Sequence, residues 1–307
     1  MINYILIILA VICFATQFAF TKIYESKIKQ TISTGLVLVA ITSIVGFLLY
    51  LCIGGFTVEF STYSLWMAFA MALIMLPYYI VSIKVLSLGS LAVYSMFMML
   101  GGMLVPFIYG ISFLSEEVTW GKIVGCIVLT ASMILQACGQ EKETKDEKIS
   151  KTEKVKKAKF LILCVLIFII NGLTGVIAKA HQIHQDAINE ISFTVLSCGL
   201  TAILSGVLLI VIFCKKENNK KIEEVKTTLN YAPLIIMALI GTATYTGNFL
   251  HLKAASVVPA SVQFPIVSGG VIVLSSLISA VIFREKVTKR EWISVIGAFL
   301  STFLFMF

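Results

Sequence analysis

Ten long apolar runs, separated by polar breaks, make up nearly all of the 307 residues. Their centres fall near Cys13, Ile44, Leu73, Gly101, Leu129, Ile169, Ala202, Thr242, Val271 and Ala298. The runs are continuous rather than alternating, so they predict helices and not the two-residue period of barrel strands. A hydrocarbon core of about 30 Å takes roughly 20 apolar residues of helix, because backbone groups left unpaired in lipid are too costly. The pattern therefore predicts an all-α polytopic membrane protein with ten transmembrane helices. The narrowest breaks, residues 84–89 and 253–258, part the third run from the fourth and the eighth from the ninth. The first run starts almost at Met1 without a basic leader or a small-residue cleavage site, which predicts a retained helix.

One break is unlike the rest. Residues 139–159 hold eight Lys, four Glu and one Asp, a composition that buries too little apolar surface to offset the entropy of ordering. They predict a solvated linker between two halves, residues 1–138 and 160–307, each carrying five of the runs. The composition agrees: 59% of residues are hydrophobic and 13% charged, against about a quarter charged in soluble domains.

Of the 24 basic residues, 21 fall in the odd-numbered loops between runs and 3 in the even-numbered ones. The positive-inside rule then places the odd loops and the linker in the cytoplasm and both termini on the extracytoplasmic side. The net charge of +8 is accounted for by topology and by attraction to anionic lipid, so no nucleic-acid partner is expected.

The two halves resemble each other. An offset of 169 residues sets Lys84 on Lys253, Gly101 on Gly270, Glu116 on Glu285 and Val118-Thr119 on Val287-Thr288. Three residues of further offset bring Trp120 onto Trp292 and Gly125 onto Gly297, and at the front an offset of 157 sets Lys22 on Lys179. Five helices is an odd number, so the second copy enters the membrane from the opposite face and the repeat is inverted. Inverted repeats are the architecture of alternating-access carriers, in which a central site opens to one side and then the other.

The segments LSEEVTWGKIVGCIVL (residues 114–129) and FREKVTKREWISVIGAFL (residues 283–300) resemble the acidic-x-Thr turn and glycine-bearing last helix of the EamA-type drug/metabolite transporters. The Lys at the end of the first and sixth runs is similar to that family's as well. The resemblance implies a ten-helix permease with a cavity lined by helices of both halves. Small multidrug members of the superfamily carry an acid in the first helix for cation export, where this chain has Gln17. The resemblance thus implies a neutral or zwitterionic metabolite, such as an amino acid.

Every Asp, Glu, Lys and Arg lies at or near the end of a run, so the chemistry at depth falls to uncharged polar groups. Gln17, Tyr78, Tyr79, Tyr94, Asn171, Tyr245, Asn248 and Gln263 are the substrate-binding candidates, aromatic walls with a few amides that fix orientation. The plainer alternative for each is a hydrogen bond to a neighbouring helix. Glu116, Glu285, Lys84 and Lys253 are candidates for gating or coupling; turn capping and snorkelling to the interface are the structural alternatives. Glu116, Glu285 and Glu190 are the carboxylates nearest to hand for any proton coupling.

Seven cysteines without paired spacing read as free thiols, and His181, His184 and His251 lack further ligands nearby, so neither disulfide nor metal site is expected. The sequence has no GxGxxG, Walker, HExxH or GxSxG motif, which predicts that the protein is not an enzyme and needs no cofactor. A lipid flippase is the nearer alternative to a metabolite permease, and an intramembrane enzyme the more distant one. The small-residue spacings Gly121 to Gly125 and Gly297 to Ser301 favour intrachain packing over a dimer interface, with monomer or homodimer left open.

Overall fold

The structure, a computed structural model, describes residues 2–115, 118–139, 151–214, 219–255, 260–285 and 287–304. Among them lie eleven helices: α1 (Ile2–Lys27), α2 (Ile32–Ile53), α3 (Thr62–Leu86), α4 (Leu91–Leu114), α5 (Trp120–Gly139), α6 (Lys151–Gln182), α7 (Glu190–Cys214), α8 (Asn219–Thr228), α9 (Tyr231–Ala255), α10 (Ala260–Val281) and α11 (Lys289–Leu304). Each of the ten expected run centres falls in a helix of its own. The additional element is α8, short and polar, in the connection between α7 and α9.

Seven segments are long and apolar enough to cross a membrane: Tyr4–Lys27, Ile32–Ile53, Thr62–Leu86, Leu91–Phe113, Ala158–Gln182, Glu190–Cys214 and Tyr231–Ala254. Trp120–Ser132 and Ile266–Val281 are shorter apolar helices. The chain is an all-α, multi-pass membrane protein. Its exposed residues are apolar along the spans, with Ile5, Ile8 and Ile12 on α1 and Ile203, Val207 and Ile210 on α7 turned outward. Trp66, Trp120 and Tyr231 are exposed at or near the first turns of α3, α5 and α9, where an amphipathic ring anchors a helix at the interface.

Part of the 139–159 stretch is helical. Helix α6 begins at Lys151, so the last nine residues of the 139–159 stretch are helical. Lys and Glu are good helix formers that need no burial, and the apolar part of α6 gives them a helix to extend.

Helix boundaries follow their caps. Thr31 and Thr34 form a reciprocal capping box at α2. Ser61 and Ser90 accept the Ser64 and Val93 N–H groups at the starts of α3 and α4. The two Val-Thr pairs that the halves share are cap positions: Thr119 Oγ1 accepts from Lys122 at the start of α5. Thr288 and Glu291 cap each other's backbone at the start of α11.

The helices gather into two compact units. Unit 1 comprises Met1–Ala19, Leu88–Gly172 and Thr246–Phe307; unit 2 comprises Phe20–Ser87 and Leu173–Tyr245. Each unit draws on both sequence halves. In unit 1, Met96, Leu100, Met103 and Leu104 of α4 pack with Leu129 of α5, Ile272 of α10 and Val295 and Ala298 of α11. Helix α4 runs against α10, and α5 against α11. In unit 2, α2 runs along α7, and α3 against both. Ala68 and Met71 of α3 meet Phe193 of α7 and Ile188 beside it.

Candidate functional site

The densest buried polar group belongs to unit 2. Tyr50 of α2, Tyr79 of α3 and Tyr245 of α9 are all buried, and the Tyr50 and Tyr245 rings meet edge to face with centroids 6.1 Å apart. Tyr78 lies next to Tyr79 with its ring edge-on at 5.0 Å. The Tyr79 phenol is within hydrogen-bonding reach of Thr42 and Thr244. Both threonines spend their own protons on the carbonyl one turn back, at 2.8 Å to Leu38 and 2.7 Å to Ile240, so their oxygens are left to accept. The Tyr245 phenol sits beside the Cys198 thiol and Ser43. The Ser197 hydroxyl of α7 is buried and has no hydrogen-bond partner among the described residues.

Close helix approach makes this group possible. Gly46 of α2 lies under the Tyr245 ring, in space that a Cβ would take from it. Gly241, one turn before Tyr245, lies against Val45 and the Thr42 backbone. The result is a set of phenols, hydroxyls and a thiol that can donate and accept hydrogen bonds while carrying no charge.

Unit 1 holds a second set. Gln17 of α1 is buried, and the adjacent Phe18 meets Tyr94 of α4 edge to face at 5.4 Å. One turn earlier, Phe14 meets His251 of α9 edge-on at 6.5 Å, while Gly247 packs on Cys13 and Phe14. Asn248 is half-buried on the same part of α9. The Asn171 amide of α6 donates to the Met98 carbonyl of α4 at 2.7 Å and seats against Gly102, which leaves it room. Beside it Gly101 faces the Phe168 carbonyl, an approach of α4 to α6 that excludes any side chain.

The charged candidates sit at element ends. The Glu285 carboxylate accepts the Leu91 N–H at 3.0 Å and the Ser279 hydroxyl, placing a negative charge on the first turn of α4. Arg284 before it is left-handed, with φ 52°, and so is Ser115, with φ 52°, at the equivalent position of the first half. Lys253 is exposed, with its ammonium 6.0 Å over the Phe249 ring, and Lys84 is half-buried at the last turn of α3. Lys22 donates to the Leu86 carbonyl at 2.7 Å, capping the C-terminus of α3. Glu116 and the Gln263 side chain lie outside the described residues.

The structure thus brings Tyr78, Tyr79 and Tyr245 together in unit 2, and places Gln17, Tyr94, Asn171 and Asn248 in unit 1. Tyr50, Thr42, Ser43, Ser197 and Cys198 are the additions that sequence reasoning passed over. The signal was there as small polar residues at helical spacing on the second and seventh runs, a pattern that ordinary helix packing also produces.

A model of the EamA-like transporter family matches residues 158–307 of the chain. No curated protein matches it.

Proposed function

We propose, from the match of residues 158–307 to the EamA-like transporter family, that the chain is a membrane permease of the drug/metabolite transporter superfamily for a small neutral or zwitterionic metabolite, such as an amino acid. It works by alternating access in the plasma membrane. The observation that carries the reading is the uncharged character of the buried polar group of unit 2: Tyr50, Tyr79 and Tyr245 with their hydroxyl neighbours. Such a group recognises a ligand by hydrogen bonds and ring faces and itself carries no carboxylate to pair with a lipophilic cation. Tyr78 beside them, and separately Gln17, Tyr94, Asn171, Asn248 and Gln263 of unit 1, are the remaining candidate binding residues.

Residues 1–138 and 160–307 are, on this reading, two inverted five-helix repeats, with α8 an interfacial addition. Packing supports the duplication. The pairs α2 and α7, α4 and α10, and α5 and α11 each join equivalent helices of the two halves, as elements nearest a pseudo-two-fold axis do. The matched left-handed Ser115 and Arg284 support it independently, because a non-glycine residue rarely takes that conformation. Both termini are then extracytoplasmic and the lysine-rich linker cytoplasmic, as the basic-residue bias requires.

Thermal-shift screening of the purified protein against a metabolite library, followed by counterflow of each stabilising compound in proteoliposomes, tests the proposal. Stabilisation by an uncharged or zwitterionic solute together with saturable counterflow is the expected result. Tight binding of a quaternary ammonium dye that is lost on protonation would overturn it, and lipid scrambling without solute counterflow would favour a flippase.

A further inference from the structure

We propose that His181 is a proton-binding site whose loading releases a hydrogen-bonded latch between the α2–α3 and α6–α7 connections of unit 2. The latch gives the permease a proton-sensitive gate; it rests on the transporter reading for its purpose, while the titration stands on the geometry below.

His181 lies in the last turn of α6 with its side chain 1% exposed. Its ring stacks on Phe193 of α7 at 3.9 Å and lies parallel to Tyr63 of α3 at 6.2 Å. Its Nε2 is 2.9 Å from the Ser64 hydroxyl oxygen. Three neighbouring bonds decide which atom holds the proton. The Ile188 N–H donates to Ser64 Oγ at 3.1 Å. Ser61 gives its proton to the Asp186 carbonyl at 2.7 Å, so it has none left for Ser64 at 3.3 Å. The Ser64 proton therefore goes to His181 Nε2, the nearest acceptor, which leaves the imidazole neutral with its proton on Nδ1.

A second proton on Nε2 sets two donors against each other. Ser64 must then turn its O–H toward Ser61 at 3.3 Å, a longer bond than the one it gives up, while a positive charge forms on a ring withdrawn from water. The titratable groups of the two connections are Glu59 and Tyr63 on the α2–α3 side, and His184, Asp186 and Glu190 on the α6–α7 side; Tyr63 lies parallel to the ring and the His184 imidazole opposes a charge on it. The carboxylates have partners of their own. Glu59 accepts the Asn189 N–H at 3.0 Å, Glu190 accepts from Gln182, and Asp186 lies 3.9 Å from His184, on which Tyr63 is stacked at 3.7 Å. Among the described residues none of them pairs with His181, so the charged ring meets no counter-ion in the latched form.

The same joint supports the bonds around it. Tyr63 donates to the Ala180 carbonyl at 3.2 Å, and the Glu59 N–H donates to Ser192 at 3.0 Å. Residues 59–64 and 180–192 come from different sequence halves and share one end of unit 2, the end expected to face the outside. A carrier that alternates must part such a contact once per cycle. Acid on that side favours the parted form.

The test is electron-electron resonance distance measurement on the full chain in nanodiscs, with the seven native cysteines replaced and nitroxides at Phe56→Cys and Gln185→Cys, both exposed positions. With an ordinary imidazole in the open form and roughly tenfold weaker proton binding in the latched one, the ratio of long- to short-distance populations rises about fivefold from pH 8 to pH 5.5. His181→Gln keeps an acceptor toward Ser64 and is expected to hold the short distance at both pH values; His184→Gln and Glu59→Gln keep the pH response. Ser64→Ala is expected to populate the long distance already at pH 8. An unchanged pH response in His181→Gln, or none in the native sequence, overturns the proposal. Counterflow without this titration sinks the latch alone, and titration without any solute transport sinks the permease reading alone.

Discussion

Three glycine-to-alanine substitutions read the packing directly. At Gly206 of α7 a Cβ meets nothing within 4 Å, so the change relieves backbone entropy and is expected to stabilise by roughly 0.5–1 kcal/mol. At Gly46 of α2 the Cβ enters the Tyr245 ring, an overpacking that costs about 1–3 kcal/mol before the helix gain is subtracted. A net loss of about 1–2 kcal/mol follows, or a melting point lower by roughly 2–4 °C for a chain of this size. At Gly101 of α4 the obstacle is the Phe168 carbonyl, which is backbone and cannot swing aside. Helices α4 and α6 must separate and the Asn171 to Met98 bond lengthens, so the loss is expected at about 3 kcal/mol or more. Thermal and denaturant unfolding of the purified variants in one detergent gives the order. Tyr245→Leu supplies the internal check, since it removes the ring that Gly46→Ala strikes and is expected to recover stability there and not in Gly101→Ala. Equal stability of Gly101→Ala and Gly206→Ala, or no coupling between positions 46 and 245, would refute the packing described here.

Other side chains give their own readouts. Glu285→Gln keeps an acceptor for Leu91 and loses the charge at the start of α4, so a loss of about 0.3–1 kcal/mol with transport intact is expected; abolished transport at unchanged stability would instead make Glu285 a gate. Asn171→Ala removes the interhelical bond to Met98, and a bond of that kind is expected to cost about 0.6 kcal/mol, at most roughly 1.7, in the same unfolding assay. The Glu59 carboxyl is held below its ordinary range by the Asn189 N–H and then by the Asn189 side chain. The folded form thus binds that proton less well than the unfolded one: the stabilisation is present above the ordinary carboxylate range and lost as pH falls from that range through the lower folded-state value. Melting curves between pH 3 and 7 are expected to lose part of that acid limb in Glu59→Gln, and an unaltered limb would contradict the assignment.

The helices were legible because lipid leaves the backbone almost no alternative. Continuous apolar runs placed ten helix centres, and short polar breaks placed their ends. Helix α8 and the start of α6 were not legible for one reason: NKKIEEVKTT and the stretch from Lys151 are strong helix formers without an apolar signature, so composition reports their solvation and not their conformation. At the site, Tyr79 and Tyr245 stood out as large polar rings at depth. Their partners did not, because a serine or threonine in a membrane helix ordinarily satisfies itself on the preceding turn, as Thr42, Thr201 and Thr244 do here. Nothing in the spacing marks such an oxygen as also serving a tyrosine. The Glu-x-Val-Thr turns were visible as a repeat, but their meaning as paired caps, Thr288 on α11 and Glu285 on α4, needed three dimensions. His181 was set aside for want of further ligands nearby; its burial depends on Phe193 and Tyr63, which come from separate helices.

The central claim is that two five-helix copies thread the membrane in opposite senses. Compartment reporters fused after Phe307 and inserted into the lysine-rich stretch 139–159 of the full chain measure it most directly. The account predicts that the C-terminal reporter signals from outside and the linker reporter from the cytoplasm; both signalling from one compartment would contradict it.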